Sequence, residues 1–91
     1  MHVAGEVDLA TAPRLADALA DMESEVVVLD LSRCTFLDSA GIRTVVSAAR
    51  RLSDEGRSLR IVSVDPGILR LLEITAVDTL IGVHPSLDDA L

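Results

Sequence analysis

Two nearby stretches decide the fold of this chain: Val26-Val27-Val28-Leu29-Asp30-Leu31 and Asp38-Ser39-Ala40-Gly41. The first is too continuously apolar for a strand with one wet face, and it indicates a central parallel strand covered on both sides. The second begins an amphipathic helix over 39–53, with a core stripe of Ile42, Val45, Val46, Ala49 and Leu52. The Ser39 hydroxyl therefore lies at a helix N-terminus, where N–H groups without helical partners and the helix dipole favour negative charge. No complete catalytic constellation accompanies it, so the serine is better placed to receive a phosphate than to perform chemistry.

The rest of the chain alternates strands and helices. A strand from His2 to Val7 leads into a helix of about Thr11 to Met22, which Thr11 can cap and whose first turn accommodates Pro13. The later elements are a strand at 59–64, a helix that Asp65 caps and that runs through Leu72, a last strand at 80–83, and a capping-box-like Ser86 with Asp89. The pattern predicts an α/β fold with a mostly parallel four-stranded sheet and about four helices, in a single domain over residues 1–91.

Composition excludes several classes of function. Eight basic against 15 acidic residues give a net charge of −7, and Phe36 is the only aromatic residue, so no basic patch or stacking platform for nucleic acid is expected. No apolar stretch approaches membrane-spanning length, and the single cysteine, Cys34, fits a small core residue in a reducing compartment. We therefore expect a soluble, cytoplasmic protein. His2 and His84 are too isolated for a metal site, and no cofactor is expected.

Four motifs in order carry a resemblance to a known family. They are Gly5-Glu6-Val7-Asp8 leading into Thr11-Ala12-Pro13-Arg14-Leu15, Val28-Leu29-Asp30-Leu31-Ser32, Phe36-Leu37-Asp38-Ser39-Ala40-Gly41-Ile42, and Val64-Asp65-Pro66 before Leu69-Arg70-Leu71-Leu72. With these spacings, essentially all 91 residues resemble the STAS domains, and within them the anti-sigma factor antagonists of bacteria. Family members usually have another strand before the first strand seen here. A shortened chain, a start other than Met1 or pairing with a second copy would each account for the difference.

The resemblance implies a binding switch rather than an enzyme. The serine of the D-S-x-G motif, here Ser39, is the residue that an anti-sigma factor serine kinase phosphorylates in that family. Ala40 stands where many relatives have a second hydroxyl, which sharpens the assignment. The unphosphorylated form would bind the kinase and free a sigma factor, and phosphorylation would end the binding. The implied partner-contact residues are Asp8, Arg14, Asp38, Ser39, Ala40 and Gly41, and the resemblance also allows a phosphatase and a homodimer.

Each of these residues also has a structural interpretation. Asp38 is first of all a helix cap, Gly41 can pack its helix against the sheet, and Asp8 and Arg14 fit a solvated turn and a surface charge equally well. Asp30 is expected to end its strand and to bond the following turn.

Two other classes of function compete with the switch. Leu37-Asp38-Ser39-Ala40-Gly41 matches four of the five positions of the hydrolase motif G-x-S-x-G, but it lacks the first glycine, a recognisable catalytic histidine and the chain length of that fold. No phosphate-binding or dinucleotide motif is present either. The alternative that stays open is a non-catalytic STAS scaffold subunit of a larger signalling or transport assembly.

Overall fold

The fold is a four-stranded parallel sheet with helices between its strands. In the computed structural model, which describes residues 2–91, the sheet order follows the chain, β1-β2-β3-β4, and every neighbouring pair is parallel. Whether Met1 is the natural start therefore concerns a residue outside those described. The elements are β1 (His2–Val7), α1 (Ala12–Ala20), β2 (Val26–Leu37), α2 (Ser39–Asp54), β3 (Ser58–Val62), α3 (Pro66–Ile74), a 3₁₀ turn (Val77–Thr79), β4 (Gly82–His84) and α4 (Leu87–Ala90). The predicted fold class is confirmed.

Strand β2 continues six residues beyond the predicted end at Leu31. Its pairing with β1 slips twice: His2 lies opposite Asp30 but Ala4 opposite Arg33, and Gly5 lies opposite Cys34 but Glu6 opposite Phe36. At each slip β2 contains one residue more than β1, which is the arrangement of a β-bulge. The buried residues in this half of β2 are consequently three apart, at Leu31, Cys34 and Leu37. Buried and exposed residues therefore do not alternate one by one in this half of β2, and the sequence lacks the pattern by which a strand is usually recognised.

Asp30 does not end β2, and the prediction that it does is wrong. It lies inside the strand and is almost fully buried, and its Oδ1 accepts a hydrogen bond of 2.9 Å from the backbone N–H of Ser32 at the first bulge. Its Oδ2 lies 2.7 Å from Nδ1 of His2 on β1. Hydrogen bonds from the side chain and backbone of Ser32, with a smaller contribution from His2, hold the pKa of Asp30 below its ordinary value. Asp30 thus joins β1 to β2.

One apolar core fills the space between the sheet and the helices. Helix α1 contributes Leu15 and Leu19, α3 contributes Ile68 and Leu72, and the buried face of α2 consists of Gly41, Ile42, Val45, Ala48 and Leu52. Val46 and Ala49, which the sequence assigned to that face, pack against the core while partly exposed. Cys34 is buried as predicted, and burial raises the pKa of its thiol.

The helix caps follow the predictions except at α1, and α3 ends at Ile74, two residues beyond the predicted Leu72. Asp65 Oδ1 caps α3 by accepting from the N–H of Ile68 at 3.0 Å, and Ser86 Oγ accepts from Asp89 at 3.3 Å. Gly56, in the left-handed region at φ +73°, follows α2 and stops it. Thr11 makes no side-chain cap; its hydroxyl instead donates to the Glu6 carbonyl and accepts from the N–H of Asp8.

The last strand begins later than the predicted 80–83. Leu80 and Ile81 donate their N–H groups to the Val77 carbonyl and so complete the 3₁₀ turn, which leaves only Gly82–His84 to pair with β3.

Candidate functional site

Asp38 connects the ends of two strands to the start of α2. Because β1 and β2 are parallel, they end at the same edge of the sheet, and the backbone N–H of Asp38 donates to the carbonyl of Val7 at 3.1 Å. Asp8 follows Val7 directly. The motif that begins α2 and the turn that begins α1 are therefore neighbours at the carboxyl edge of the sheet.

The carboxylate of Asp38 caps α2. Its Oδ1 accepts hydrogen bonds from the N–H groups of Ala40 at 2.9 Å and Gly41 at 3.1 Å. Both N–H groups belong to the set that an α-helix leaves without internal partners. The structural interpretation of Asp38 is thus confirmed. It also corrects the expectation of an open helix N-terminus, because two of the N–H groups that would favour a phosphate on Ser39 already bind a carboxylate.

Ser39 is the accessible group of the motif. Its side chain is exposed, and its hydroxyl makes no hydrogen bond with any part of the chain that the structure describes. A transferring enzyme could therefore reach this hydroxyl without breaking a contact of the fold. Ala40, the next residue, is half-buried and carries no competing hydroxyl.

Gly41 is buried rather than displayed. A Cβ at this position would lie 2.5 Å from Leu37 Cδ1, 2.8 Å from Val7 Cγ1 and 3.3 Å from the Val7 carbonyl oxygen. The first two distances are far below the 3.5–4.0 Å of an ordinary carbon contact. The absence of a side chain thus lets α2 lie directly against the ends of β1 and β2, which is the packing role anticipated for this glycine.

Asp8 organises the turn into α1. Its Oδ1 accepts hydrogen bonds from the N–H groups of Ala10 at 3.0 Å and Thr11 at 3.1 Å, an Asx turn that performs the function predicted for Thr11. The half-buried Asp8 lies beside Asp38, whereas Arg14 lies elsewhere: it is exposed and lines a depression between α1 and β1 with His2 and Glu6. Of the predicted contact residues, the structure therefore brings together Asp8, Asp38, Ser39 and Ala40.

A groove beside Ser39 contains two residues that the sequence reasoning missed. It has a volume of about 230 Å³ and lies between the first turns of α1 and α2, lined by Leu9, Ala12, Pro13, Ala16, Ala40, Arg43 and Thr44. Leu9 is 79% exposed, although it is a large apolar side chain. Arg43 follows Ser39 by one helical turn. The available signals were an apolar residue next to Asp8 and a cation four residues after the serine, and neither stands out without the fold.

Other kinds of site find no support among the described residues. No group of three or more histidine, cysteine, aspartate or glutamate side chains in residues 2–91 is placed to hold a metal ion. Within the same residues, no helix has the length and apolarity needed to cross a bilayer.

Comparison with known proteins gives a consistent result. The family model described as "Mlab, STAS domain" matches residues 1–82. The anti-sigma-B factor antagonist of Listeria monocytogenes is 32% identical over 86 residues, which cover 91% of this chain and 75% of that protein. The crystal structure of an anti-sigma factor antagonist from Mycobacterium paratuberculosis superposes with a TM-score of 0.88 at 32% identity, covering 98% of this chain and 78% of that one.

A more distant structure shares the fold. SpoIIAA, an anti-sigma factor antagonist in its unphosphorylated form, superposes with a TM-score of 0.72 at 14% identity and covers 97% of this chain and 79% of its own. The chain therefore belongs to the STAS domain family, among the anti-sigma factor antagonists.

Proposed function

We propose that this protein is a phosphorylation-controlled antagonist of an anti-sigma factor. In its unmodified form it binds an anti-sigma factor that is also a serine kinase, and the sigma factor held by that kinase is released. Transfer of a phosphate to Ser39 ends the binding, and a phosphatase restores it. The protein itself acts by binding and not as an enzyme, it contacts no nucleic acid, and it works in the cytoplasm. The observation that carries the proposal is the exposed, unbonded hydroxyl of Ser39, the residue directly before Ala40, which lines the groove between α1 and α2.

The docking surface that we propose consists of Asp8, Leu9, Asp38, Ser39 and Ala40. Exposed Leu9 supplies an apolar contact, and the carboxylates of Asp8 and Asp38 are fixed in place by their hydrogen bonds to backbone N–H groups. Fixed groups lose little conformational entropy when a partner binds. Gly41 supports this surface from below, and Arg14 lies at its periphery on the other flank of α1.

Phosphorylation would act on recognition and leave the fold intact. A phosphate adds roughly −1.5 to −2 charges at pH 7. Because Ser39 is exposed, this charge would remain accessible to solvent when the protein is alone, but it would be desolvated when a partner docks, with the Asp38 carboxylate of the same chain next to it. Taking an incompletely paired charge out of water costs several kcal/mol. A loss of about 3 kcal/mol already weakens binding about a hundredfold, which is enough for a switch.

The test is mass spectrometry after incubation with ATP and each candidate anti-sigma kinase of the source organism. We expect a gain of one phosphate in the wild type and in Ser47→Ala, and no gain in Ser39→Ala. Ser47 is the matched control because it is exposed on the same helix two turns further along. We also expect Ser39→Asp to bind the kinase at least tenfold more weakly than the wild type. Phosphate on Ser39→Ala, or full binding by Ser39→Asp, would contradict the proposal.

A non-catalytic scaffold subunit of a larger signalling or transport assembly is the second candidate. A scaffold would self-associate or join a stable complex that does not respond to Ser39→Asp, whereas the switch binds its kinase one-to-one. Light scattering coupled to size-exclusion chromatography, with and without the kinase, distinguishes the two.

A further inference from the structure

Arg43 is a basic residue one helical turn after Ser39 on α2. It is exposed on α2, and its side chain makes no hydrogen bond or ion pair within residues 2–91. Arg51 on the same helix, by contrast, donates to the Leu19 carbonyl at 3.2 Å and lies 3.6 Å from Glu55. Residues four apart on a helix are neighbours, with about 5–6 Å between their Cβ atoms, and an acidic group N-terminal to a basic one is the favourable order. An anionic group on Ser39 would therefore lie within reach of the Arg43 guanidinium.

A phosphate on Ser39 would need such a cation. The N–H groups of Ala40 and Gly41 already donate to Asp38 Oδ1. The start of α2 therefore has fewer free N–H donors for a phosphate than an uncapped helix N-terminus would have. The Asp38 carboxylate is itself a negative neighbour, and Asp8 lies close behind it at the same edge of the sheet. Arg14 is on the opposite flank of α1, against β1. Arg43 is thus the one basic residue within a helical turn of Ser39 on α2.

We propose that a phosphate on Ser39 is held by Arg43 through hydrogen bonds from its guanidinium. This inference rests on the proposed function, which makes Ser39 the acceptor. Arg43 also lines the groove beside Leu9 and Ala40. Phosphorylation would therefore change this surface twice, since it adds an anion beside the groove and engages the cation that lines the groove.

The test uses full-length chain with phosphoserine installed at position 39 by chemical ligation, so that no kinase is involved. The probe is the pH titration of the phosphate by ³¹P NMR. A neighbouring guanidinium stabilises the dianion and lowers the second pKa of the phosphate from its ordinary value of about 6. We expect Arg43→Gln to raise the titration midpoint by about 0.3–0.7 pH unit, as is typical of an exposed charge pair. Arg43→Lys should restore part of the difference.

Arg50→Gln is the matched control. Arg50 is exposed on α2 and also has no side-chain partner within residues 2–91, but it lies about 16 Å from Ser39 along the helix axis. We expect its midpoint to equal that of the wild type, with circular dichroism verifying the fold of each variant. Equal midpoints for Arg43→Gln and Arg50→Gln would overturn the inference. That result would leave the proposed function standing, whereas a failure of kinase transfer to Ser39 would defeat the function and leave this titration unaffected.

Discussion

Gly41→Ala tests the packing at the centre of the site. Alanine normally stabilises a helix by about 1 kcal/mol relative to glycine. At Gly41 the added methyl would lie 2.5 Å from Leu37 Cδ1 and 2.8 Å from Val7 Cγ1. Leu37 is 5% exposed and Val7 is 2% exposed, so neither side chain can move into solvent. Extra methyl groups in a packed core cost typically 1–3 kcal/mol, and two contacts shorter than 3 Å place this one in the upper half of that range. After the helix gain is subtracted, we expect a net loss of about 1–2 kcal/mol in the free energy of unfolding.

The measurement is urea unfolding followed by circular dichroism, because the chain contains no tryptophan or tyrosine for fluorescence. For a chain of 91 residues the expected loss corresponds to a Tm lower by roughly 5–15 °C. Gly67→Ala is the control. Gly67 also lies in the first turn of a helix, but it is exposed and its added Cβ would meet only Asp65 Oδ1, at 3.1 Å. Because the Asp65 side chain is exposed, its oxygen can shift by the few tenths of an ångström that the added Cβ requires, and we expect this variant to stay within about 0.5 kcal/mol of the wild type. Equal stability of the two variants would refute the packing argument.

Two further predictions concern carboxylates that accept hydrogen bonds from backbone N–H groups. Asp30→Asn should lower the free energy of unfolding at neutral pH by about 1–2 kcal/mol. The folded-state pKa of Asp30 lies below its ordinary value of 3.8, so the wild type should lose this stability progressively as the pH falls below 3.8 and then through the folded-state pKa. An unchanged difference between the two proteins down to pH 2.5 in thermal melts would contradict the assignment. Asp38→Ala should lower the free energy of unfolding by about 1 kcal/mol, because two N–H groups at the start of α2 lose their acceptor. Amide hydrogen exchange at Ala40 and Gly41 that is no faster than in the wild type would count against this role of Asp38.

Short sequence patterns predicted the structure correctly where the chemistry of a single residue decides it, as at a helix cap. Asp38 and Asp65 were recognised as caps because an aspartate before an apolar stripe has few other uses. Thr11 was misassigned for the same kind of reason, since Asp8, three residues earlier, provides a stronger acceptor for the same turn. The second half of β2 could not be predicted, because its bulges exist only in relation to β1. Leu9 and Arg43 were missed because their importance comes from lying on the same groove, and no local pattern brings α1 and α2 together.

The contacts made by Asp38 explain why a phosphate on the neighbouring Ser39, as proposed, would not disturb the fold. The backbone N–H of Asp38 donates to the carbonyl of Val7 at the end of β1, and its carboxylate accepts from N–H groups in the first turn of α2. Gly41 packs closely against the ends of β1 and β2. All the contacts that hold this corner together therefore belong to residues on either side of Ser39, and none belongs to its hydroxyl. A charge added to that hydroxyl would leave the supporting contacts in place, which is what the proposed switch requires.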